Sequence, residues 1–247
     1  MYDGIFAETT TITGDGGDVI EAYFARPLGP DPVGSVVIIH HLPGYDAATK
    51  EIARHFATLG YAALMPNLYS REAPGARPDD AAATVRAMGG VPDARLVGDV
   101  AGAAAYLRAL PYTNGKVGVI GYCSGSRQAF LAATSTQLDA AVDCYGAYVV
   151  TPPPEGSNLK WLPIVDRAPM LACPLLGLFG ADDKYPTPED VGVLKKALDD
   201  AGKTYEFHTY DDAGHAFFAP DRPSYRPAAA VEGWQRINEF FARYLAA

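Results

Sequence analysis

The chain is poor in cysteine and has no long apolar run, and both shortages exclude classes of protein. Its three cysteines, Cys123, Cys144 and Cys173, form an odd set without metal-type spacing, so we expect free thiols in a reducing cytoplasm. No apolar segment reaches the ~20 residues that a membrane-spanning helix needs. Residues 1–5 lack the charged-then-apolar pattern of a signal peptide. We therefore expect a cytoplasmic protein that does not contact a membrane.

Basic residues are also in short supply. The 20 lysines and arginines against 29 acidic residues give a net charge of −9, and no long basic run occurs, so nucleic acid is not an expected partner. The sequence has no internal repeat, low-complexity tract or linker. At 247 residues it is long enough to bury one large core. We predict a single domain over residues 1–247 and expect a monomer or a weak dimer.

Runs typical of strands alternate with helical patterns along the chain. Residues 6–13 and 19–25 are β-rich and are split by a Gly-rich turn, which predicts a hairpin at the edge of a sheet. Further strands are predicted at 35–40, 61–65, 116–122, 140–145, 175–179 and 204–210, and helices at 52–59, about 94–110, 128–133, 188–201 and near the C-terminus. This alternation predicts an α/β fold, a mostly parallel sheet with helices on both faces.

Two loops and one helical stripe have predicted structural roles. The polar residues 67–80 predict a loop that forms part of a pocket wall, and the proline-rich residues 151–174 predict a surface excursion. The last helix carries an apolar stripe at helical spacing, which predicts core packing rather than a ligand site. The stripe consists of Trp234, Ile237, Phe241 and Tyr244.

A strand that runs into Gly121-Tyr122-Cys123-Ser124-Gly125 organises the rest of the chain. Gly-x-Cys-x-Gly is the spacing of a nucleophile elbow with cysteine at its centre. The glycines permit a sharp, strained turn that raises the central side chain above the strand end. The following helix N-terminus supplies N–H groups that stabilise a thiolate or an oxyanion. The alternative is a Gly-rich turn that holds a buried, inert cysteine.

An acid and a histidine follow the cysteine in chain order. Asp182 and Asp183 lie in a turn just after a predicted strand, and His215 lies in a loop before the last helix. Nucleophile, acid and histidine follow one another in this order in the α/β-hydrolase triad. The histidine removes the thiol proton and later protonates the leaving group, while the carboxylate fixes the histidine tautomer. Each residue alone has an ordinary structural explanation.

These motifs together resemble the dienelactone hydrolase family (carboxymethylenebutenolidases). The similar segments are residues 61–69, 111–123, 180–183 and 213–217, so the similarity extends over nearly the whole chain. The resemblance implies an α/β-hydrolase fold that opens enol-lactones without a cofactor or metal. It implies that Cys123 is the nucleophile, His215 the base and Asp183 its orienting acid. It also implies an oxyanion hole made by the backbone N–H groups of Ser124 and Leu42.

The chain departs from the family's pattern at three positions. His41 replaces a glutamate that contacts the resting thiol, Ser126 replaces the second glycine after the cysteine, and Ala219 replaces an arginine that grips the substrate carboxylate. Because a glutamate repels a thiolate and an imidazole does not, we expect His41 to raise the resting thiolate fraction of Cys123. The alternative is that His41 turns away and packs on its loop.

Because alanine at position 219 stands where the family has its carboxylate-binding arginine, the resemblance does not imply that this protein acts on the family's lactone-acid substrate. Arg222 and Arg226 in the same loop are candidates to replace the arginine. Arg86 and Arg95, from earlier helices, are further candidates. The residues expected to bind substrate or tune the nucleophile are His41, Tyr145, Arg222 and Arg226.

Adjacent histidines at His40 and His41 raise a metal alternative. Neighbouring residues of a strand point to opposite faces, so the two do not easily ligate one ion. No carboxylate or cysteine cluster has ligand spacing with them. We expect neither a metal nor a cofactor.

The residues and the resemblance favour a cysteine hydrolase that cleaves a small ester, enol-lactone or thioester through an acyl-enzyme. One alternative, motivated by His41 and Ala219, is a relative that catalyses a non-hydrolytic step in a biosynthetic pathway, such as a cyclisation or an elimination. The other is a non-catalytic small-molecule binder. The three triad residue types, retained in order, disfavour the binder.

Overall fold

The computed structural model describes residues 4–246, and eight strands there form one sheet. They are β1 (Ile5–Thr13), β2 (Val19–Pro27), β3 (Val33–Ile39), β4 (Ala62–Pro66), β5 (Thr113–Tyr122), β6 (Ala140–Cys144), β7 (Leu175–Gly180) and β8 (Tyr205–Tyr210). Their order is β1-β2-β4-β3-β5-β6-β7-β8. β2 pairs antiparallel with β1 and β4, and all other neighbours are parallel. The predicted edge hairpin and mostly parallel sheet are confirmed.

Helices pack on both faces of this sheet. They are α1 (Ala47–Leu59), α2 (Pro78–Met88), α3 (Asp93–Ala109), α4 (Ser124–Ala133), α5 (Pro188–Asp200) and α6 (Pro227–Leu245). Helices α1 and α6 bury their apolar side chains on one face, and the other four helices bury theirs on the opposite face. Among residues 4–246, no helix is both long and apolar enough to cross a bilayer. The expectation drawn from residues 1–5 falls partly on Met1–Asp3, outside the described residues.

The ends of α1 show why the sequence forms a helix there. Asp46 accepts the N–H of Thr49 at 2.8 Å, and the two residues make a reciprocal capping box. The helix ends at Gly60, whose φ of 100° is the left-handed conformation that terminates many helices. The predicted end at Gly60 is confirmed. Helix α2 was not predicted, since its buried face is small: Ala81, Ala82 and Val85.

Part of the proline-rich segment packs into the core, so the predicted surface excursion is wrong at its buried positions, while Leu162 and Met170 are exposed. Trp161, Ile164 and Leu171 are buried, and Cys173 is only 8% exposed. The fully buried guanidinium of Arg127 fixes the segment by donating a hydrogen bond to the carbonyl of Leu162 at 2.8 Å. Prolines limit regular structure here to one short 3-10 helix, Val165–Met170, but they do not prevent apolar side chains from filling the space beside the helices.

The loops after the parallel strands meet at one edge of the sheet. This edge carries the carboxyl ends of β3, β5, β6, β7 and β8, where α/β proteins place their sites. Cys123 follows β5, Asp183 follows β7 and His215 follows β8. The topology therefore brings together residues that lie up to 92 positions apart in the chain.

Candidate active site

Cys123 occupies the strained turn between β5 and α4. Its φ of 57° and ψ of −123° lie in a region that residues with a Cβ rarely adopt. A Cβ added to Gly121 would lie 2.0 Å from the carbonyl oxygen of Gly125, and one added to Gly125 would lie 2.5 Å from the carbonyl oxygen of Ile39. Close backbone approach therefore requires both glycines, and the chain has the backbone of a nucleophile elbow.

Ser126 ties this turn to the neighbouring strand. Its buried hydroxyl lies 2.5 Å from the carbonyl oxygen of Gly121, to which it donates, and it accepts the N–H of Cys144 at 2.8 Å. A glycine at this position would supply neither bond. The departure at Ser126 thus adds a link between the elbow and β6.

His215 and Asp183 form a hydrogen-bonded pair beside Cys123. Nδ1 of His215 lies 2.9 Å from Oδ2 of Asp183, and the N–H of Tyr185 donates to Oδ1 at 2.8 Å. Burial alone would lower the pKa of His215, but hydrogen bonds to Asp183 and Cys123, with their negative charges, raise that pKa to about 10. Asp183 is buried, whereas Asp182 is exposed. The site therefore stabilises a proton on His215.

The residues proposed for the oxyanion hole lie at two element ends. Ser124 is the first residue of α4, and helix N-termini leave their first N–H groups free. Leu42 follows β3, and its carbonyl accepts the Tyr69 hydroxyl at 3.0 Å. Within residues 4–246, the N–H groups of Ser124 and Leu42 donate to no backbone carbonyl. Sequence reasoning did not identify Tyr69 as a residue of the site. Tyr69 belongs to the family-like segment 61–69, but no motif marks it individually.

His40 and His41 make separate contacts. His40 is buried, which lowers its pKa to about 4, and it accepts the N–H of Leu68 at 3.3 Å. Nε2 of His41 lies 2.9 Å from Oδ2 of Asp46. Burial would raise the pKa of Asp46, but hydrogen bonds from His41 and Thr49 hold it well below its usual range. In the described part of the chain, no three potential ligands group to hold a metal ion.

Tyrosines lie around the pair formed by His215 and Asp183. The ring of Tyr145, a residue with a φ of 48°, lies 5.2 Å from the His215 ring between centroids. Tyr148 and Tyr185 line a cleft of about 390 Å³ that also contains Cys123 and His215. Tyr145 was expected at the site, but the other two were missed because no motif marks them.

The arginines of the 219–226 loop have different positions. The exposed guanidinium of Arg226 donates to the carbonyls of Asp212 at 2.8 Å and Tyr225 at 3.1 Å, so it holds the loop rather than the cleft. Arg222 is exposed, and its charge reaches Tyr145. The structure therefore brings Arg222 toward the site but not Arg226.

The two earlier arginines also differ. Arg95 forms an ion pair with Glu72. Arg86 is exposed on α2, and its charge acts on both Tyr69 and Tyr148. Arg86 is therefore the earlier arginine that lies nearer the cleft.

The sheet order, the two covered faces and the elbow after β5 define an α/β-hydrolase fold. Residues 20–245 match the model of the dienelactone hydrolase family. The chain belongs to this family of hydrolases, as its motifs led us to expect.

Individual relatives agree with this assignment. The carboxymethylenebutenolidase of Pseudomonas putida is 32% identical over 218 residues, which are 86% of each chain. An Escherichia coli K12 protein provisionally given the same name is 36% identical over 248 residues, 98% of this chain and 89% of that one. A crystal structure from Klebsiella pneumoniae, provisionally named a dienelactone hydrolase, has a TM-score of 0.86 at 31% identity, over 98% of this chain and 100% of that one.

Proposed function

We propose that this protein is a cysteine-dependent hydrolase that cleaves a small ester, enol-lactone or thioester through an acyl-enzyme. The observation that carries the proposal is the cleft that Cys123 shares with His215, together with the 2.9 Å between Nδ1 of His215 and Oδ2 of the buried Asp183. A nucleophile, a base and an orienting carboxylate in contact are the requirements of triad chemistry.

In the first half of the reaction, His215 holds as an imidazolium the proton that it has taken from Cys123, because its raised pKa favours that state, and the sulfur attacks the substrate's carbonyl carbon. A carbon–sulfur bond forms, and the carbonyl electron pair moves to the oxygen. The N–H groups of Ser124 and Leu42 then donate to this oxyanion. When the intermediate collapses, the bond to the leaving group breaks and His215 gives that group its proton. In a lactone, the leaving group stays attached to the acyl chain.

In the second half, water replaces the leaving group. His215 takes a proton from the water, whose oxygen attacks the thioester carbon, and the carbon–sulfur bond breaks. The proton returns to the sulfur of Cys123. Asp183 keeps the His215 Nδ1 protonated throughout, so that Nε2 faces the reaction.

An acyl adduct tests this scheme directly. Incubation with p-nitrophenyl acetate, rapid acid quench and mass spectrometry should show one acetyl group on the peptide that contains Cys123. Cys123→Ala should abolish both adduct and turnover, while Cys173→Ala, at a cysteine that is 8% exposed, should retain them. Hydrolysis that persists in Cys123→Ala would show that cysteine is not the nucleophile, and binding without turnover would favour the non-catalytic alternative.

A further inference from the structure

A second cavity lies behind the wall of the catalytic cleft, between α1 and α6. Its volume is about 450 Å³, within the usual range for small-molecule sites. Tyr122 and Tyr145 belong to its wall. Tyr122 directly precedes Cys123, and the Tyr145 ring contacts that of His215, so the cavity begins beside the reacting groups.

The lining of this cavity is mostly apolar and aromatic. Phe218 and Trp234 meet edge to face with ring centroids 6.0 Å apart, and Ile52 and Ala230 lie among the lining residues. Trp234 therefore has a role beyond the core packing predicted for its stripe, whereas Ile237 and Phe241 of the same stripe are fully buried. An aromatic ring or a short aliphatic chain fits such a surface.

One residue of the lining carries a buried hydroxyl without a partner. The hydroxyl of Tyr122 is buried, the residue is 4% exposed, and no other group within residues 4–246 forms a hydrogen bond with it. The hydroxyl lies below the accessible surface, so the lining that an occupant meets is mostly apolar, and the expected occupant is apolar too.

The charges around the cavity disfavour an anionic occupant. Glu51 and Asp221 are among its lining residues, and His41 is paired with Asp46. Within the described chain, neither lysine nor arginine lines the cavity. Ala219 belongs to the lining, where an arginine would be the group needed to bind a substrate carboxylate.

We propose that this cavity binds the acyl portion of the substrate, and that this portion is an uncharged aromatic or short aliphatic group. This inference rests on the proposed hydrolase function. The leaving group must receive its proton from His215, and the cleft that contains His215 and Cys123 opens past the exposed Asp182 and Lys184. The cleft is thus the exit for the leaving group, and the cavity beyond Tyr145 holds the acyl group that stays on sulfur.

Esters with one leaving group and different acyl groups test the inference. We expect kcat/KM for p-nitrophenyl phenylacetate to exceed that for the acetate about tenfold or more, and the value for the hemisuccinate to lie below the acetate. Ala230→Leu, which fills the cavity, should reduce the phenylacetate-to-acetate ratio about tenfold. The matched control Ala228→Leu, at an exposed position of the same helix, should leave the ratio unchanged. An unchanged ratio in Ala230→Leu would overturn the proposal.

Two further measurements address charge and acyl placement. Ala219→Arg should reverse the preference between the phenylacetyl and hemisuccinyl esters, because it places a guanidinium in the cavity wall. The isomers methyl phenylacetate and benzyl acetate differ in which side of the ester carries the ring. The methyl ester should be the better substrate, and a preference for benzyl acetate would overturn the acyl assignment.

Binding without turnover separates this inference from the proposed function. Cys123→Ala protein titrated with phenylacetamide should show a change in Trp234 fluorescence that Ala230→Leu weakens and Ala228→Leu does not. If phenylacetamide binds but the wild-type protein hydrolyses no ester, the cavity is supported as a ligand site and the hydrolase proposal is overturned. Hydrolysis without acyl preference and without phenylacetamide binding would support the hydrolase proposal and overturn the cavity assignment.

Discussion

The carboxylate of Asp183 contacts Nδ1 of His215 at 2.9 Å while its other oxygen accepts the N–H of Tyr185 at 2.8 Å. The second bond fixes the carboxylate, whose Oδ1 also lies 3.2 Å from Nδ1 of His215. Asp182, one residue earlier, is exposed, and its own N–H donates to the carbonyl of Ala213 at 2.9 Å. The turn thus assigns different environments to two adjacent aspartates.

Replacing each aspartate in turn should separate their roles. Asp183→Asn should lower kcat by a factor on the order of 10²–10⁴, because the correct tautomer and the stabilised imidazolium are lost. Asp182→Asn is the matched control and should change kcat by less than about threefold. Circular dichroism checks that both variants fold. A larger loss in Asp182→Asn would show that the orienting acid is wrongly assigned.

The pH profile should report the protonated state of His215. Its pKa is raised to about 10 from an ordinary value of 6.5, so kcat/KM should fall as the pH rises through about 10 and the leaving group loses its proton donor. In Asp183→Asn the falling limb should move to lower pH. The same sign holds for stability: this contribution is present below about 6.5 and is lost as the pH rises toward 10. A limb that stays in place in Asp183→Asn would contradict this.

Cys123 should be the selectively reactive thiol. It is partly exposed, whereas Cys144 is fully buried and burial raises its pKa well above the usual value. Burial, together with the charge of Asp139, also raises the pKa of Cys173 to about 12. Brief iodoacetamide treatment and peptide mapping should therefore label Cys123 first. Equal labelling of the three cysteines would refute the prediction.

His41→Glu should slow alkylation of Cys123 near neutral pH and move its rate profile to higher pH. The new carboxylate would lose the bond that His41 makes with Asp46, and the negative charge added at this position would disfavour the Cys123 thiolate. His208→Glu, a similar change on β8, is the control. Superimposable profiles for wild type and His41→Glu would mean that His41 serves only to line the cavity beside its partner Asp46.

Ser126→Ala should destabilise the fold by about 1–3 kcal/mol, because the buried hydroxyl bonds to Gly121 and Cys144 would be lost. Ser135→Ala is the comparison, since that residue is exposed and its hydroxyl bonds at the surface, to the carbonyl of Leu131 and to Arg167. Urea denaturation measures both free energies of unfolding. Equal losses would show that the link between the elbow and β6 adds no stability.

The sequence by itself determined the fold class, the family and the elbow. Those features depend on local sequence and backbone geometry. A Cβ at Gly121 or Gly125 would lie less than 3 Å from backbone atoms of the turn or of the neighbouring strand, so glycine is required at both positions. The periodicity of apolar residues predicts the strands and helices. The identities of Cys123, Asp183 and His215 as candidates followed from chain order, which is also a property of the sequence alone.

Only the tertiary structure decided which distant side chains meet. Four features join positions that no spacing rule connects: the burial of Trp161, Ile164 and Leu171, the pairing of His41 with Asp46, the bond from Tyr69 to Leu42, and the cavity between α1 and α6. Periodicity reports which face of an element is apolar, but not what packs against it. Trp234 shows the difference, because its helical spacing is that of a core residue and its surroundings are those of a ligand pocket.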